Sequence, residues 1–291
     1  MNPRHLLILT LAATSLANAQ SPSRSPRYEP EYDHRAFKGS GDVELKYGWL
    51  APLELRQGDK YPLVICLHGS GGSVKASAVL ARQPMRGEHP AFVMVPEAER
   101  PFTWAKTDVI RRPGAEAMPE KLPLLVEVIR SVLKTEAIDP ARIYITGQSM
   151  GGVGSWGAIT QYPELFAAAV PVCGAWRTED VPKMLGVPVW AFHGEKDPTV
   201  PVKFSRDLTA AITKAGGTAK YTEYPGVGHD SWTRARTTTR RCGRGSLRKS
   251  ANGRDGNPIA GASTKFLIFS KESSAAKLIN IVVFTSIPPC K

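Results

Sequence analysis

Short apolar runs alternate with amphipathic segments along the middle of the chain. Buried strands are predicted at residues 61–67, 91–95, 142–146, 167–172, 187–192 and 219–224, with an early edge strand at 43–50. Apolar residues recur at helical spacing over 122–133 and 202–215, and residues 138–141 are typical of a turn. Strands that alternate with helices of this length predict an α/β fold, in which helices cover both faces of a mostly parallel central sheet.

This alternation is absent near the start of the chain. Residues 1–19 combine a short basic start, the apolar run Leu6–Leu16 and the small residues Ala17 and Ala19, which is typical of a secretory signal peptide cleaved after Ala19. A membrane anchor is the alternative, but the run is shorter than the roughly 20 apolar residues needed to span a bilayer. We therefore expect export to a periplasm or beyond. Residues 20–41, rich in Pro, Ser and Arg, predict a flexible arm before a globular domain over 42–235.

Charge is distributed unevenly along the chain. The 291 residues carry a formal net charge of +12, and 42% of them are hydrophobic, which is ordinary for one large globular domain. The segment 236–291 holds 11 Lys and Arg residues against two acidic ones, so most of the excess charge lies there. Because its basic residues are not interleaved with aromatic ones, we do not expect nucleic-acid binding.

The cysteines and the motif content exclude several classes of site. Cys66 and Cys173 lie in strand-like runs and are predicted to be small core residues, while Cys242 and Cys290 lie in the basic tail, so no disulfide is predicted. Neither metal-ligand spacing nor a phosphate loop nor a dinucleotide fingerprint is present. We therefore expect no metal ion and no cofactor.

One pentapeptide carries the strongest chemical signal. Gly147-Gln148-Ser149-Met150-Gly151 follows the apolar β-branched run 142–146 and precedes a segment, 152–159, that can continue as a helix. Gly-x-Ser-x-Gly between a strand and a helix is the pattern of a nucleophile elbow, a turn so tight that only glycine is tolerated two positions before and two positions after the serine. The flanking elements, more than the common residues of the pentapeptide, make Ser149 the candidate nucleophile.

A serine nucleophile needs a histidine base, and the histidine is usually oriented by a carboxylate. His229 lies in a glycine-rich loop after the last predicted strand and is the candidate base, whereas His193 lies at a strand end before any candidate acid. Asp197 follows the preceding strand and is the first choice of acid. Glu195 is the reserve, and a surface histidine without a role remains the alternative for His229.

The negative oxygen that develops during acyl transfer needs amide donors. The N–H of Met150, directly after the nucleophile, is one candidate. The other is expected in the glycine-rich loop after residues 61–67, where the Ser70 amide is the first choice and the Gly71 amide the second. His68 is expected to brace this loop. A glycine-rich turn without a catalytic part is the alternative for the loop taken alone.

Three tryptophans lie in or beside loops at the presumed active edge: Trp104, Trp176 and Trp232. Aromatic rings in such loops can form an apolar or aromatic acyl site, so these residues are candidate substrate contacts. Ordinary packing is the equal alternative for each of them. Trp156 lies within the predicted helix after Ser149 and is expected in the core.

Four segments together resemble the α/β-hydrolase superfamily: residues 67–72, 143–152, 190–197 and 221–229. Within it the chain is similar to exported esterases often labelled predicted peptidases, close to the carboxylesterase, feruloyl esterase and dienelactone hydrolase groups. The resemblance implies a catalytic domain over 42–235 with Ser149, Asp197 and His229 in the usual roles. The resemblance does not settle the substrate, because these groups share motifs and differ in their pocket loops. We expect short-chain acyl or feruloyl esters, on small molecules or on plant polysaccharide. A peptidase with the same triad and a disabled binding protein remain the alternatives.

The resemblance ends near Arg236. Relatives of this kind continue with an acidic and aromatic segment and a closing helix, whereas residues 236–250 here turn sharply basic and lose helical periodicity. Codons for this run can be chosen so that a neighbouring frame gives a typical family ending, so our hypothesis is a reading-frame shift that leaves 236–291 disordered. A genuine lineage-specific tail is the alternative, and resequencing the coding DNA distinguishes the two.

Overall fold

The computed structural model of the protein describes residues 32–39, 43–72, 75–82, 85–106, 108–110, 118–232, 267–269 and 278–280. The predicted signal segment 1–19, residues 20–31 of the predicted arm, Cys242, Cys290 and most of the tail lie outside these residues. Within the described residues, no helix is both long enough and apolar enough to cross a bilayer.

A single sheet of eight strands organises the described domain. The strands are β1 (Asp33–Lys38), β2 (Glu44–Leu50), β3 (Tyr61–Leu67), β4 (Phe92–Pro96), β5 (Ile138–Gln148), β6 (Ala168–Val172), β7 (Val189–Gly194) and β8 (Ala219–Tyr224). Their order across the sheet is β1-β2-β4-β3-β5-β6-β7-β8. The pairs β1–β2 and β2–β4 are antiparallel, and all other neighbours are parallel. The mostly parallel sheet agrees with the fold class predicted from the sequence.

Helices connect the parallel strands. They are α1 (Lys75–Leu80), α2 (Met85–Glu88), α3 (Leu122–Thr135), α4 (Met150–Gln161), α5 (Val181–Met184) and α6 (Lys203–Lys214). The two helices predicted from periodicity, 122–133 and 202–215, correspond to α3 and α6. Proline in the first turn of α3 is compatible with its start, since the first N–H groups of a helix have no intrahelical acceptor.

Both faces of the sheet are buried, which explains the continuous apolar runs of its central strands. On β3, Leu63, Ile65 and Leu67 belong to the large core that also contains buried residues of α3, α4 and α6. Val64 and Cys66, which point to the opposite face, belong to a second cluster together with residues of β4 and β5. The central strands are thus fixed on both sides, and their carboxyl ends present loops at one edge.

The prediction of a flexible arm over 20–41 is wrong for β1. Its six residues pair with β2 along their whole length and form the edge of the sheet. Arg35 fixes this strand, because its guanidinium donates to Glu136 at 2.7 Å and lies over the ring of Trp49. The strand predicted at 43–50 is therefore the second strand and not an edge.

Two further predictions need correction. The turn predicted at 138–141 is an irregular stretch within β5, where the register passes from Tyr61 opposite Ile138 to Leu63 opposite Ile143. The tail predicted to be disordered contains two described strands, β9 (Leu267–Phe269) and β10 (Leu278–Asn280), which pair antiparallel.

Candidate active site

Ser149 lies in a strained turn between β5 and α4. Its backbone has φ 55° and ψ −116°, a conformation that residues with a Cβ rarely adopt. The glycines around it leave no room for a side chain: a Cβ on Gly147 would lie 2.3 Å from the carbonyl oxygen of Gly151, and a Cβ on Gly151 would lie 2.2 Å from that of Leu67. The tight packing of the strand, the turn and the helix holds the serine hydroxyl at the carboxyl edge of the sheet.

His229 joins Ser149 to Asp197. Its Nε2 lies 2.9 Å from Oγ of Ser149, and its Nδ1 lies 2.8 Å from Oδ2 of Asp197. A carboxylate oxygen only accepts, so Nδ1 carries the hydrogen and donates to Asp197, which leaves the Nε2 lone pair facing the serine hydroxyl. The side chain of His229 is 22% exposed, whereas that of Asp197 is fully buried. This arrangement allows the imidazole to remove the serine proton while the buried carboxylate stabilises the resulting cation.

Asp197 is held by its own loop. Its Oδ1 accepts the backbone N–H groups of Thr199 at 2.8 Å and Val200 at 2.9 Å. The side chain of Glu195, the reserve acid, is engaged elsewhere, because its Oε2 accepts the amide of Gly226 at 2.6 Å. Of the two acids considered, the structure brings only Asp197 into hydrogen-bond contact with the His229 ring.

The same carboxylate contacts a second imidazole. His193 is fully buried, and its Nε2 lies 2.9 Å from the carbonyl oxygen of Val200 and 3.2 Å from Oδ2 of Asp197. Its Nδ1 lies 2.7 Å from Oγ of Ser205. Burial lowers the pKa of His193, which favours the neutral ring. Sequence reasoning set His193 aside as a base and missed this contact; its place at the end of a strand, four residues before Asp197, is the signal that points to it.

The loop predicted to supply an oxyanion donor packs against the nucleophile turn. Gly69 is so close that a Cβ there would lie 3.2 Å from the carbonyl oxygen of Gln148. His68 braces the loop, since its Nδ1 lies 2.7 Å from the Gly69 carbonyl oxygen and its Nε2 accepts the Ala98 amide at 2.9 Å. Ser70 follows at the exposed end of the turn, and Met150 begins α4, where the first N–H groups have no intrahelical acceptor.

Burial separates the three candidate tryptophans. Trp104 is fully buried and donates its indole N–H to the His68 carbonyl oxygen at 2.9 Å, and Trp176 is 4% exposed and donates to Asp180 at 3.1 Å. This argues against the predicted substrate contact for both, and we assign them to the core. Trp232 is half-buried, and its ring meets that of His229 edge-on, with centroids 5.2 Å apart. Trp156 is fully buried in α4, as predicted.

Cys173 lies beside the candidate triad. One ligand atom each from Cys173, Asp197 and His229 lie within 4.8 Å of one another. Burial raises the pKa of the Cys173 thiol to about 12, so the thiol is a neutral neighbour of Asp197 and His229 at neutral pH. Asp197 and His229 are already joined by a hydrogen bond. The arrangement of Asp197 and His229 with Ser149 therefore fits a serine-histidine-aspartate triad.

Among solved structures, the chain is similar to a thermostable esterase, with 36% identity and a TM-score of 0.64 over 69% of this chain and 58% of that one. A ferulic acid esterase shares the fold at 16% identity, with a TM-score of 0.54 over 72% of this chain and 95% of that one. An acylaminoacyl peptidase of Pyrococcus horikoshii shares it at 17% identity, with a TM-score of 0.53 over 68% of this chain and 38% of that one.

Two further proteins are similar in sequence. Poly(3-hydroxyalkanoate) depolymerase C of Paucimonas lemoignei is 28% identical over 119 residues, which are 39% of this chain. An uncharacterized secreted protein of Arthroderma benhamiae is 25% identical over 247 residues, which are 69% of this chain. The matched parts span 28% and 25% of the length of these two relatives. Residues 54–238, more than half of the chain, match the phospholipase/carboxylesterase family. The chain therefore belongs to the phospholipase/carboxylesterase family and has the α/β-hydrolase fold.

Proposed function

We propose that the protein is an exported serine hydrolase that cleaves carboxylic esters through an acyl-enzyme. The observation that carries this proposal is the position of His229, whose two ring nitrogens lie 2.9 Å from the Ser149 hydroxyl and 2.8 Å from the Asp197 carboxylate. Family membership and the 36% identity to a thermostable esterase support the same reaction class.

In the acylation step, the Ser149 oxygen attacks the ester carbonyl carbon while Nε2 of His229 accepts the hydroxyl proton. Asp197 stabilises the imidazolium through the Nδ1 hydrogen bond. The amides of Met150 and Ser70 donate to the carbonyl oxygen as it becomes negative, and each such donor contributes about 3 kcal/mol in comparable sites. The carbon–oxygen bond to the alcohol then breaks, and the alcohol leaves with the proton returned by His229.

Deacylation repeats the steps of acylation with water as the nucleophile. His229 removes a proton from water as the water oxygen attacks the acyl carbon. The bond between the acyl carbon and the Ser149 oxygen then breaks, and His229 passes the proton to that oxygen. The acid is released and the enzyme returns to its first state. The groups proposed for both half-reactions follow the carboxyl ends of β3, β5, β7 and β8, in the adjoining loops and at the start of α4.

The proposed substrates are short-chain acyl esters and feruloyl-type esters. The half-buried ring of Trp232 beside His229 supports an apolar or aromatic acyl group. Similarity to the depolymerase adds hydroxyalkanoate esters to the set that needs testing. A peptidase of the same fold is the second candidate in this class, but an amide requires His229 to protonate a poorer leaving group.

Export rests on the sequence of residues 1–19, and the printed name of the Arthroderma benhamiae relative describes a secreted protein. N-terminal sequencing of the protein from the culture medium or periplasm tests this part of the proposal. A mature chain beginning at Gln20 supports cleavage after Ala19. Retention of the full chain in the cell contradicts it.

The activity is tested with a panel of matched substrates. Hydrolysis of 4-nitrophenyl acetate, of a feruloyl ester and of a hydroxyalkanoate oligomer is compared with hydrolysis of the 4-nitroanilide of acetic acid. We expect the esters to be cleaved much faster than the anilide. The reverse order supports the peptidase.

Covalent labelling by a fluorophosphonate tests the nucleophile in the same preparation. We expect one label per chain on Ser149, none in Ser149→Ala, and full labelling in Ser70→Ala, which keeps the backbone amide of the oxyanion loop. If the folded wild-type protein neither reacts with the label nor cleaves any ester, the proposal fails and a non-catalytic binding protein is favoured.

A further inference from the structure

Asp197 is shared by two imidazole rings. Its Oδ2 lies 2.8 Å from Nδ1 of His229 and 3.2 Å from Nε2 of His193, while its Oδ1 accepts two backbone amides. The side chains of His193 and Asp197 are both fully buried. A buried carboxylate is costly unless its oxygens are hydrogen-bonded, so each donor to Asp197 affects how much negative charge remains for His229.

The partners of His193 fix which of its nitrogens carries the hydrogen. Nε2 faces the carbonyl oxygen of Val200 and the carboxylate of Asp197, and both groups only accept. Nε2 is therefore protonated and donates. In the neutral ring, Nδ1 then accepts the hydroxyl hydrogen of Ser205 at 2.7 Å. Ser205 lies in the first turn of α6, so this helix fixes the plane of the ring.

We propose that His193 is a positioning residue, whose Nε2–H holds Oδ2 of Asp197 in place and limits the negative charge that this oxygen directs at His229. The role rests on the proposed esterase function, since it acts through the acid of that mechanism. His193 does not touch the nucleophile in this arrangement. It sets the strength of the Asp197–His229 hydrogen bond, on which the basicity of His229 depends.

Two other titratable groups near the two rings keep one charge state near neutral pH. The Cys173 thiol stays protonated because burial raises its pKa to about 12. Glu223, opposite His193 on β8, is charged, since hydrogen bonding to Arg206 lowers the pKa of Glu223 to about 2. Neither of these two groups therefore changes its charge in the neutral pH range in which the acid limb is compared.

The test compares His193→Leu with His193→Gln. Leucine approximates the ring volume without a donor, whereas the glutamine amide presents an N–H at about the reach of Nε2. Without the donor, more negative charge remains on Oδ2, so the protonated form of His229 is stabilised and His229 is neutral only at higher pH.

For His193→Leu we expect kcat for 4-nitrophenyl acetate to fall about tenfold with little change in KM, as befits loss of one hydrogen bond to a charged group. The acid limb of kcat/KM should move up by about half to one pH unit. His193→Gln should restore most of kcat and most of the wild-type position of the acid limb.

Rates are normalised to the fraction of chains labelled by the fluorophosphonate, so that misfolded protein does not contribute. Ile212→Ala is the matched control, because Ile212 is a fully buried residue of α6 and its truncation destabilises the helix that also carries Ser205. It should lower thermal stability and leave the acid limb in place. If His193→Leu does not fold, Ser205→Ala removes the donor to Nδ1 and should give a smaller shift in the same direction.

The outcomes separate this inference from the proposed function. Suppose that the wild-type protein is an active esterase and that the acid limb of labelled His193→Leu matches that of the wild type. His193 then has only a structural role. Where the leucine variant does not fold, the same conclusion follows from an unchanged acid limb in Ser205→Ala. An equal shift in Ile212→Ala also overturns the inference. If the wild-type protein cleaves no ester and is not labelled, the proposed function itself fails.

Discussion

Gly194 lies directly against the backbone of Gly228, so that a Cβ on Gly194 would come within 2.2 Å of the Gly228 carbonyl oxygen. This contact lets the loop that carries Asp197 approach the loop that carries His229. Two backbone hydrogen bonds join the loops nearby, from the amide of Lys196 to Val227 at 2.8 Å and from that of Glu195 to Tyr224 at 3.1 Å. The glycine therefore determines whether the acid and the base can meet.

Gly194→Ala should separate these loops. We expect a loss of about 1–3 kcal/mol in the free energy of unfolding from overpacking. A displacement of about 1 Å between Asp197 and His229 should lower kcat about a hundredfold. Chemical denaturation and ester hydrolysis measure the two effects. Gly186→Ala is the matched control, since no atom lies within 4 Å of a Cβ built there. Unchanged activity in Gly194→Ala would show that the contact does not matter for the site.

Replacing the nucleophile should show the strain in its backbone. Ser149 has φ 55°, which glycine adopts without a steric penalty and alanine does not. We expect both Ser149→Gly and Ser149→Ala to be inactive, with Ser149→Gly more stable than Ser149→Ala by about 1 kcal/mol, because relief of strain exceeds the entropic cost of glycine. Thermal unfolding of the two variants measures this difference. Equal or lower stability of the glycine variant would contradict the strain.

The ion pair between Arg206 and Glu223 should make stability depend on pH in the acid range. Hydrogen bonding to Arg206, and also to Tyr221, lowers the pKa of Glu223 from its ordinary value of 4.5 to about 2. A lowered folded-state pKa stabilises the protein above the unfolded value, and this contribution is lost as the pH falls from about 4.5 to about 2. Glu223→Gln should therefore be less stable than the wild type at pH 7 and equal to it near pH 2.

Thermal unfolding at several pH values checks this expectation. Glu54→Gln is the control, since the side chain of Glu54 is 74% exposed and its pair with Arg56 is 3.7 Å long. It should change stability little at any pH, as is usual for exposed pairs. If the difference in thermal stability between the wild type and Glu223→Gln stays constant from pH 7 to pH 2, the ionised carboxylate is not its source.

The two buried thiols should be inert in the folded protein. Cys66 and Cys173 are both fully buried, and burial raises the pKa of each to about 12. In a Cys242→Ser/Cys290→Ser variant, we expect no reaction with a disulfide reagent at pH 8 under native conditions and two reactive thiols per chain after denaturation. Rapid modification of the native protein would mean that the core beside Asp197 opens readily.

The local sequence pattern was sufficient to predict a strand at the centre of the sheet. The boundaries of β3 agree with those predicted, because a β-branched and apolar run bounded by turn residues has few other ways to be buried. It was insufficient for β1, which exposes most of its side chains and is stabilised by pairing with β2 and by the long-range contact of Arg35 with Glu136. No local property of residues 33–38 reports those partners.

The amino-acid sequence by itself determined the fold class, the strained glycine-flanked turn around Ser149 and the order of serine, acid and histidine along the chain. These features depend on residue type and short spacing, which act within a few positions. Tertiary structure alone decided that His193 contacts Asp197, that Glu195 binds a backbone amide, and that Trp104 and Trp176 are buried while Trp232 meets His229. Those outcomes depend on how loops from separate strands pack together, where the positions of residues far apart in the chain select the partners.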